Sequence, residues 1–124
     1  MAGLDSSTPH PVSLTLRQAS RVLDIAFDNG ESFSLPCEYL RVFSPSAEIR
    51  GHGGGPHLTI GGKIDVNIVA IEPVGHYAVR LQFDDGHNSG IYSWSELREL
   101  GINQSANWQD YLSRLEHAKL RRTA

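Results

Sequence analysis

The chain repeats itself. Phe27-Asp28-Asn29-Gly30 through Leu40-Arg41 is echoed by Phe83-Asp84-Asp85-Gly86 through Leu97-Arg98, at an offset of 56 residues that becomes 57 after one inserted residue. Both stretches read as strand, tight turn, strand, short helix, the signature of a reused supersecondary unit. Two hairpin–helix units around one sheet predict an α+β domain with its helices on one side. Asp and Gly are also what most tight turns demand, so turn chemistry alone is the alternative reading. With 124 residues there is room for a single core.

Local patterning fills in the units. Ser13 to Arg17 alternates weakly, as an edge strand would. Leu23, Ile25 and Phe27 share one face of a strand over Val22 to Phe27. Asn29-Gly30 predicts a type I′ hairpin turn, and Phe33 and Leu35 alternate on the return strand. Pro36 opens a short helix through Glu38, Tyr39, Leu40 and Arg41. Ser44 to Gly62 is dense in Gly, Ser and Pro and reads as a long loop, of the kind that is functional or mobile, with a brief strand around Leu58 to Ile60. A β-rich run from Val66 to Val74 leads to a turn over Pro73-Val74-Gly75-His76. Strands follow over Tyr77 to Phe83 and Ser89 to Tyr92. Ser93 and Glu96 form a capping box for a helix that Gly101 ends from the C′ position. A last helix, about Ser105 to Leu120, carries one apolar stripe of Trp108, Tyr111, Leu112 and Leu115. Residues 1–12 read as a flexible N-terminus, 13–120 as the single domain and 121–124 as a basic tail.

Composition removes several functions. The formal charge of −3 argues against a dedicated nucleic-acid binder. The opening residues lack a basic n-region and an apolar h-region, and no window approaches a membrane span. One cysteine excludes an internal disulfide and suits a cytoplasmic protein. Histidine is the odd number, at six, and it keeps metal chemistry open.

His52 and His57 lie in the Gly-rich loop, His76 and His87 at turns, and Cys37 at a helix start, yet no CxxC, HxH or HExxH pair is present. The bland reading is solvated turn histidines. Arg50 to Pro56 is no phosphate loop, because Lys63 leads into a β-rich stretch rather than a helix. Ser44 and Ser46 sit in a Ser-Pro-Ser turn, not a nucleophile elbow, and Asp84 and Asp85 are explained by the turn they make.

Three stretches together resemble a known family. They are Leu40 to Glu48 with Arg50 to Gly53, Ile71 to Val79, and Phe83 to Trp94. They are similar to the gamma-butyrobetaine hydroxylase-like N-terminal domain, a bacterial domain of unknown function, over roughly Leu14 to Leu100. In the eukaryotic hydroxylases that domain precedes an Fe(II)/2-oxoglutarate oxygenase domain and binds a structural zinc through three Cys and one His. The resemblance places those cysteines at Ser44, Ser46 and about Ile49, and the histidine at His87. Only His87 keeps its ligand type. The oxygenase half is absent, and relatives fused to iron–sulfur ATPases imply an adaptor role by association.

The leading expectation is therefore a non-enzymatic accessory or protein-interaction domain with no cofactor. Its surface is the loop Ser44 to Gly62, with Arg41, Arg50 and His52 as contacts. An iron–sulfur carrier, an oxygenase or a second copy of the chain is the expected partner, with no nucleic acid and no membrane. The alternative is a small zinc- or iron-binding protein that uses His87 with His52, His57 or Cys37.

Overall fold

The computed structural model describes residues 9–44 and 59–123. Expectations for Ser46, Ile49, Arg50, His52, His57 and the strand start at Leu58 fall outside the described residues. Six strands and three helices are described: β1 (Pro11–Arg17), β2 (Val22–Phe27), β3 (Ser32–Pro36), α1 (Cys37–Val42), β4 (Ile68–Val74), β5 (Ala78–Phe83), β6 (Gly90–Ser93), α2 (Trp94–Ile102) and α3 (Gln104–Ala118). The fold is α+β. It holds two three-stranded antiparallel sheets, ordered β1-β2-β3 and β4-β5-β6, rather than the single sheet expected. Among the described residues no helix is long and apolar enough to cross a membrane.

The echo in the sequence is an echo in the bonding. Each unit is three strands and a helix. In the first, the Gly30 N–H donates to Phe27 O (3.1 Å) and the Phe27 N–H to Glu31 O (2.7 Å). In the second, Gly86 donates to Phe83 (3.2 Å) and Phe83 to His87 (2.9 Å). The Asp after each Phe takes the backbone N–H of the residue ahead of the first strand: Asp28 from His10 at 3.2 Å, Asp84 from Asn67 at 3.1 Å. Both first strands bulge at a valine, between Pro11 and Ser13 and between Ile68 and Ala70. Chance turn chemistry does not reproduce the strand bulge and the aspartate bond as well.

The turns are not type I′. Only Gly30 (φ 90°) and Gly86 (φ 94°) have positive φ in them, so each loop is a turn closed by a left-handed glycine, the three-residue hairpin form. Pro73 lies inside β4 rather than in a turn, because β4 is an edge strand where a missing N–H is tolerated. β1 begins at Pro11, so residues 11 and 12 belong to the sheet.

One core joins the units. Leu23, Ile25, Phe27 and Leu35 from the first sheet meet Val79, Leu81, Phe83 and Tyr92 from the second, with Leu40 of α1 and Leu97 of α2 between them in the repeat. Each such side chain contributes roughly 1.5–3 kcal/mol of burial. Tyr111 and Leu115 of α3 pack on Val42, with Trp108 touching both clusters. The Ser93–Glu96 capping box is present. Gly101, however, lies within α2, whose C-cap is Asn103. Gly101 is needed for space: a Cβ there would come within 3.0 Å of three Phe33 ring atoms. α3 ends at Lys119, in the left-handed conformation.

Candidate functional site

The two units hold each other reciprocally, and the places where they differ mark the site. Arg41, in the last turn of α1, reaches across to Asp85 in the second unit's turn, with Nε 2.7 Å from Oδ2. Its counterpart Arg98, on α2, reaches back to Glu31 beside the first unit's turn, at 2.6 Å. The second pair is a half-exposed ion pair. The first pair is sunk, with side chains 11% and 18% exposed, and it is elaborated. Asn29 and Glu31 in the first unit stand where Asp85 and His87 stand in the second.

Asp85 is saturated. Oδ2 accepts from Arg41 and from Lys63 Nζ (2.7 Å), and Oδ1 accepts the His87 backbone N–H (3.0 Å). Burial pushes its pKa up, but the bonds from Lys63, the His87 N–H and Arg41 outweigh it and bring the pKa from the ordinary 3.8 to about 2. Arg41 Nη1 is buried and has no hydrogen-bond partner among the described residues.

His87 is buried, and its Nε2 lies 3.0 Å from the hydroxyl of Ser44, which is itself fully buried. Ser44 also bonds the Tyr92 hydroxyl, which donates to the Leu40 carbonyl at 2.5 Å. Burial raises the Tyr92 pKa. Gly90 leaves the room: a Cβ there would stand 2.5 Å from Ser44 Oγ. This network fixes the end of α1 to the β5–β6 turn.

Residues 59–64 are held independently. Tyr111 donates to Ile60 O at 2.6 Å, and burial pushes its pKa up to about 12. Arg114 reaches the Thr59 hydroxyl at 3.4 Å. The Gly62 and Ile64 N–H groups donate to Arg121 O (2.7 Å) and Arg122 O (3.0 Å). Arg122 forks onto the buried carboxylate of Glu38 (3.0 and 2.8 Å) and lies 5.2 Å over the Trp108 ring. The described part of the expected basic tail is thus bonded into the domain.

Of the residues singled out from sequence, the structure brings together Ser44 and His87 and puts Arg41 beside them. The Arg41 guanidinium is turned into the protein, where it braces the turn. Cys37 is buried with its thiol 3.7 Å from Asn67 Oδ1, and burial pushes its pKa up. His76 is in the β4–β5 turn, where its carbonyl accepts from Trp94 Nε1; His117 Nδ1 lies 2.9 Å from Ser113 O on α3. Lys63, Tyr92 and the Arg122–Glu38 fork were missed. Their partners lie 22, 52 and 84 residues away, so no local spacing betrays them.

The zinc site that the resemblance implies does not fit these residues. Ser44 offers a neutral hydroxyl, a poor ligand beside a thiolate. Two cations, Arg41 and Lys63, already converge on the Asp85 carboxylate, two residues from His87. Among the described residues, no three His, Cys, Asp or Glu side chains are grouped as metal ligands require.

The chain is similar to several solved structures. One, determined by NMR in solution, is 52% identical with a TM-score of 0.82, and the match covers 95% of this chain and 88% of the other. A second NMR structure is 43% identical with a TM-score of 0.79, over 92% and 90% of the two chains. A crystal structure of a protein of unknown function from Acidithiobacillus ferrooxidans, a member of the DUF971 family, is 39% identical with a TM-score of 0.63, over 74% of this chain and 92% of that one. No curated protein matches. The model of the family described as gamma-butyrobetaine hydroxylase-like, N-terminal, matches residues 14–98, more than half of the sequence, and the chain belongs to that family.

Proposed function

We propose that this chain is a non-enzymatic accessory domain that binds another protein through the loop Ser44 to Gly62, with Arg41, Arg50 and His52 as contacts. The observation that supports this reading is that the described residues of the loop, Ser44 and 59–62, are bonded to the body of the domain. Ser44 meets His87 beside the Arg41–Asp85 pair; on the other side of the loop Ile60 is held by Tyr111, Gly62 and Ile64 by backbone bonds, and Lys63 by Asp85. Binding residues concentrate on loops that a rigid scaffold positions. The segment carries Glu48, Arg50, His52 and His57 as its charged and titratable groups. By family analogy the partner is an iron–sulfur carrier or an Fe(II) oxygenase in the cytoplasm, with a second copy of the chain as the other candidate.

The test is affinity capture from the native host with the wild type and with Arg50→Ala/His52→Ala. The reading expects the same specific partner to be recovered by the first and lost by the second. If the double variant retains every partner, the segment is not the contact.

A further inference from the structure

We infer that this chain joins α1 to the β5–β6 turn without a metal ion, through a hydrogen-bonded clasp in which Ser44 and His87 meet directly. The contact distance is the first argument. Ser44 Oγ and His87 Nε2 are 3.0 Å apart, a hydrogen-bond separation that engages the ring nitrogen a metal would need.

Electrostatics is the second. Arg41 and Lys63 bring two positive charges to Asp85, and that carboxylate is already engaged on both oxygens. The neighbouring Asp84 accepts the Asn67 N–H. A divalent cation at His87 would find the carboxylates of this turn already engaged, Asp85 by Arg41 and Lys63 and Asp84 by Asn67.

The third argument is that the surroundings are fitted to the hydroxyl. Gly90 leaves space that Ser44 Oγ fills, and Tyr92 joins the same network to the Leu40 carbonyl. At the equivalent place the first unit has Glu31 in the position of His87, and that carboxylate accepts from Arg98 and Asn29. The clasp holds whatever segment 45–58 contacts, so it stands apart from the proposed partner.

The experiment uses full-length protein purified without a histidine tag. Thermal unfolding of the wild type is expected to be the same with chelator and with equimolar Zn²⁺. Ser44→Ala, which strips one partner from a buried polar group, is expected to lower the midpoint by roughly 3–8 °C, with or without zinc. Long-range ¹⁵N NMR of the wild-type His87 ring should show a hydrogen-bonded imidazole that added zinc does not move, a readout independent of how Ser44→Ala folds. About one zinc per chain, lost in His87→Gln together with a chelator-sensitive midpoint, would overturn the inference. So would a Ser44→Ala midpoint equal to that of the wild type.

Discussion

Replacing Asp85 by Asn isolates the charge on which the site is built. In the folded protein its pKa is about 2, against an ordinary 3.8. A pH unit between folded and unfolded pKa corresponds to about 1.36 kcal/mol, so the ionised carboxylate contributes roughly 2 kcal/mol of stability. The side chain is 18% exposed, so solvent screening leaves most of this in place. Because the folded pKa is the lower one, the contribution is complete above the unfolded value. It is lost as the pH falls through the folded value, between about pH 4 and about pH 2. Urea unfolding at a series of pH values reads it directly. Asp85→Asn should remove about 2 kcal/mol of the pH dependence across that interval. At neutral pH it should also be less stable by about 2–3 kcal/mol, since Arg41 is left buried beside a neutral amide. Parallel pH profiles for wild type and variant would refute the reasoning, as would equal stability at neutral pH.

Two further substitutions are decided by packing and burial. Ala in place of a mid-helix Gly usually adds about 1 kcal/mol of helix stability, but at Gly101 the new Cβ meets the Phe33 ring, itself stacked edge-on to Phe27 at 6.0 Å. Overpacking of about 1–3 kcal/mol should win, so chemical denaturation should find Gly101→Ala destabilised and Gly101→Ala/Phe33→Ala coupled in a double-mutant cycle. Arg122→Ala should cost about 1–2 kcal/mol, because Glu38 is buried, and should speed amide exchange at Gly62 and Ile64. Arg98→Ala, at the more exposed counterpart pair, should cost less, and its effect should fade with salt.

Local rules carried the elements. Alternation gave β2 with its bounds, and the Ser93–Glu96 pair gave the start of α2, because both depend only on residues a few positions apart. The repeat was legible as a pattern, but its reciprocal ion pairs were not. Asp85 read as a turn former and Lys63 as a failed phosphate-loop lysine, since each meets its partner only after the chain folds back. Gly101 misled for the same reason: its neighbour Phe33 is 68 residues away, and the space they share keeps it a glycine inside a helix. Pro73 read as the start of the turn over Pro73-Val74-Gly75-His76, and only the sheet order shows that it lies in an edge strand, where a missing N–H is tolerated. The Ser44–His87 contact spans 43 residues; the family resemblance singled out both positions, and the folded chain supplies the bond between them.

The loop Ser44 to Gly62 is the surface through which we propose that this protein meets its partner. Amide chemical-shift mapping of the full-length chain, titrated with the partner recovered by capture, tests it most directly. The account predicts the largest perturbations within 45–58 and at its anchors Ser44, Lys63 and His87, with the outer faces of both sheets unmoved. Perturbations concentrated on those sheet faces, with the segment and its anchors unchanged, would contradict it.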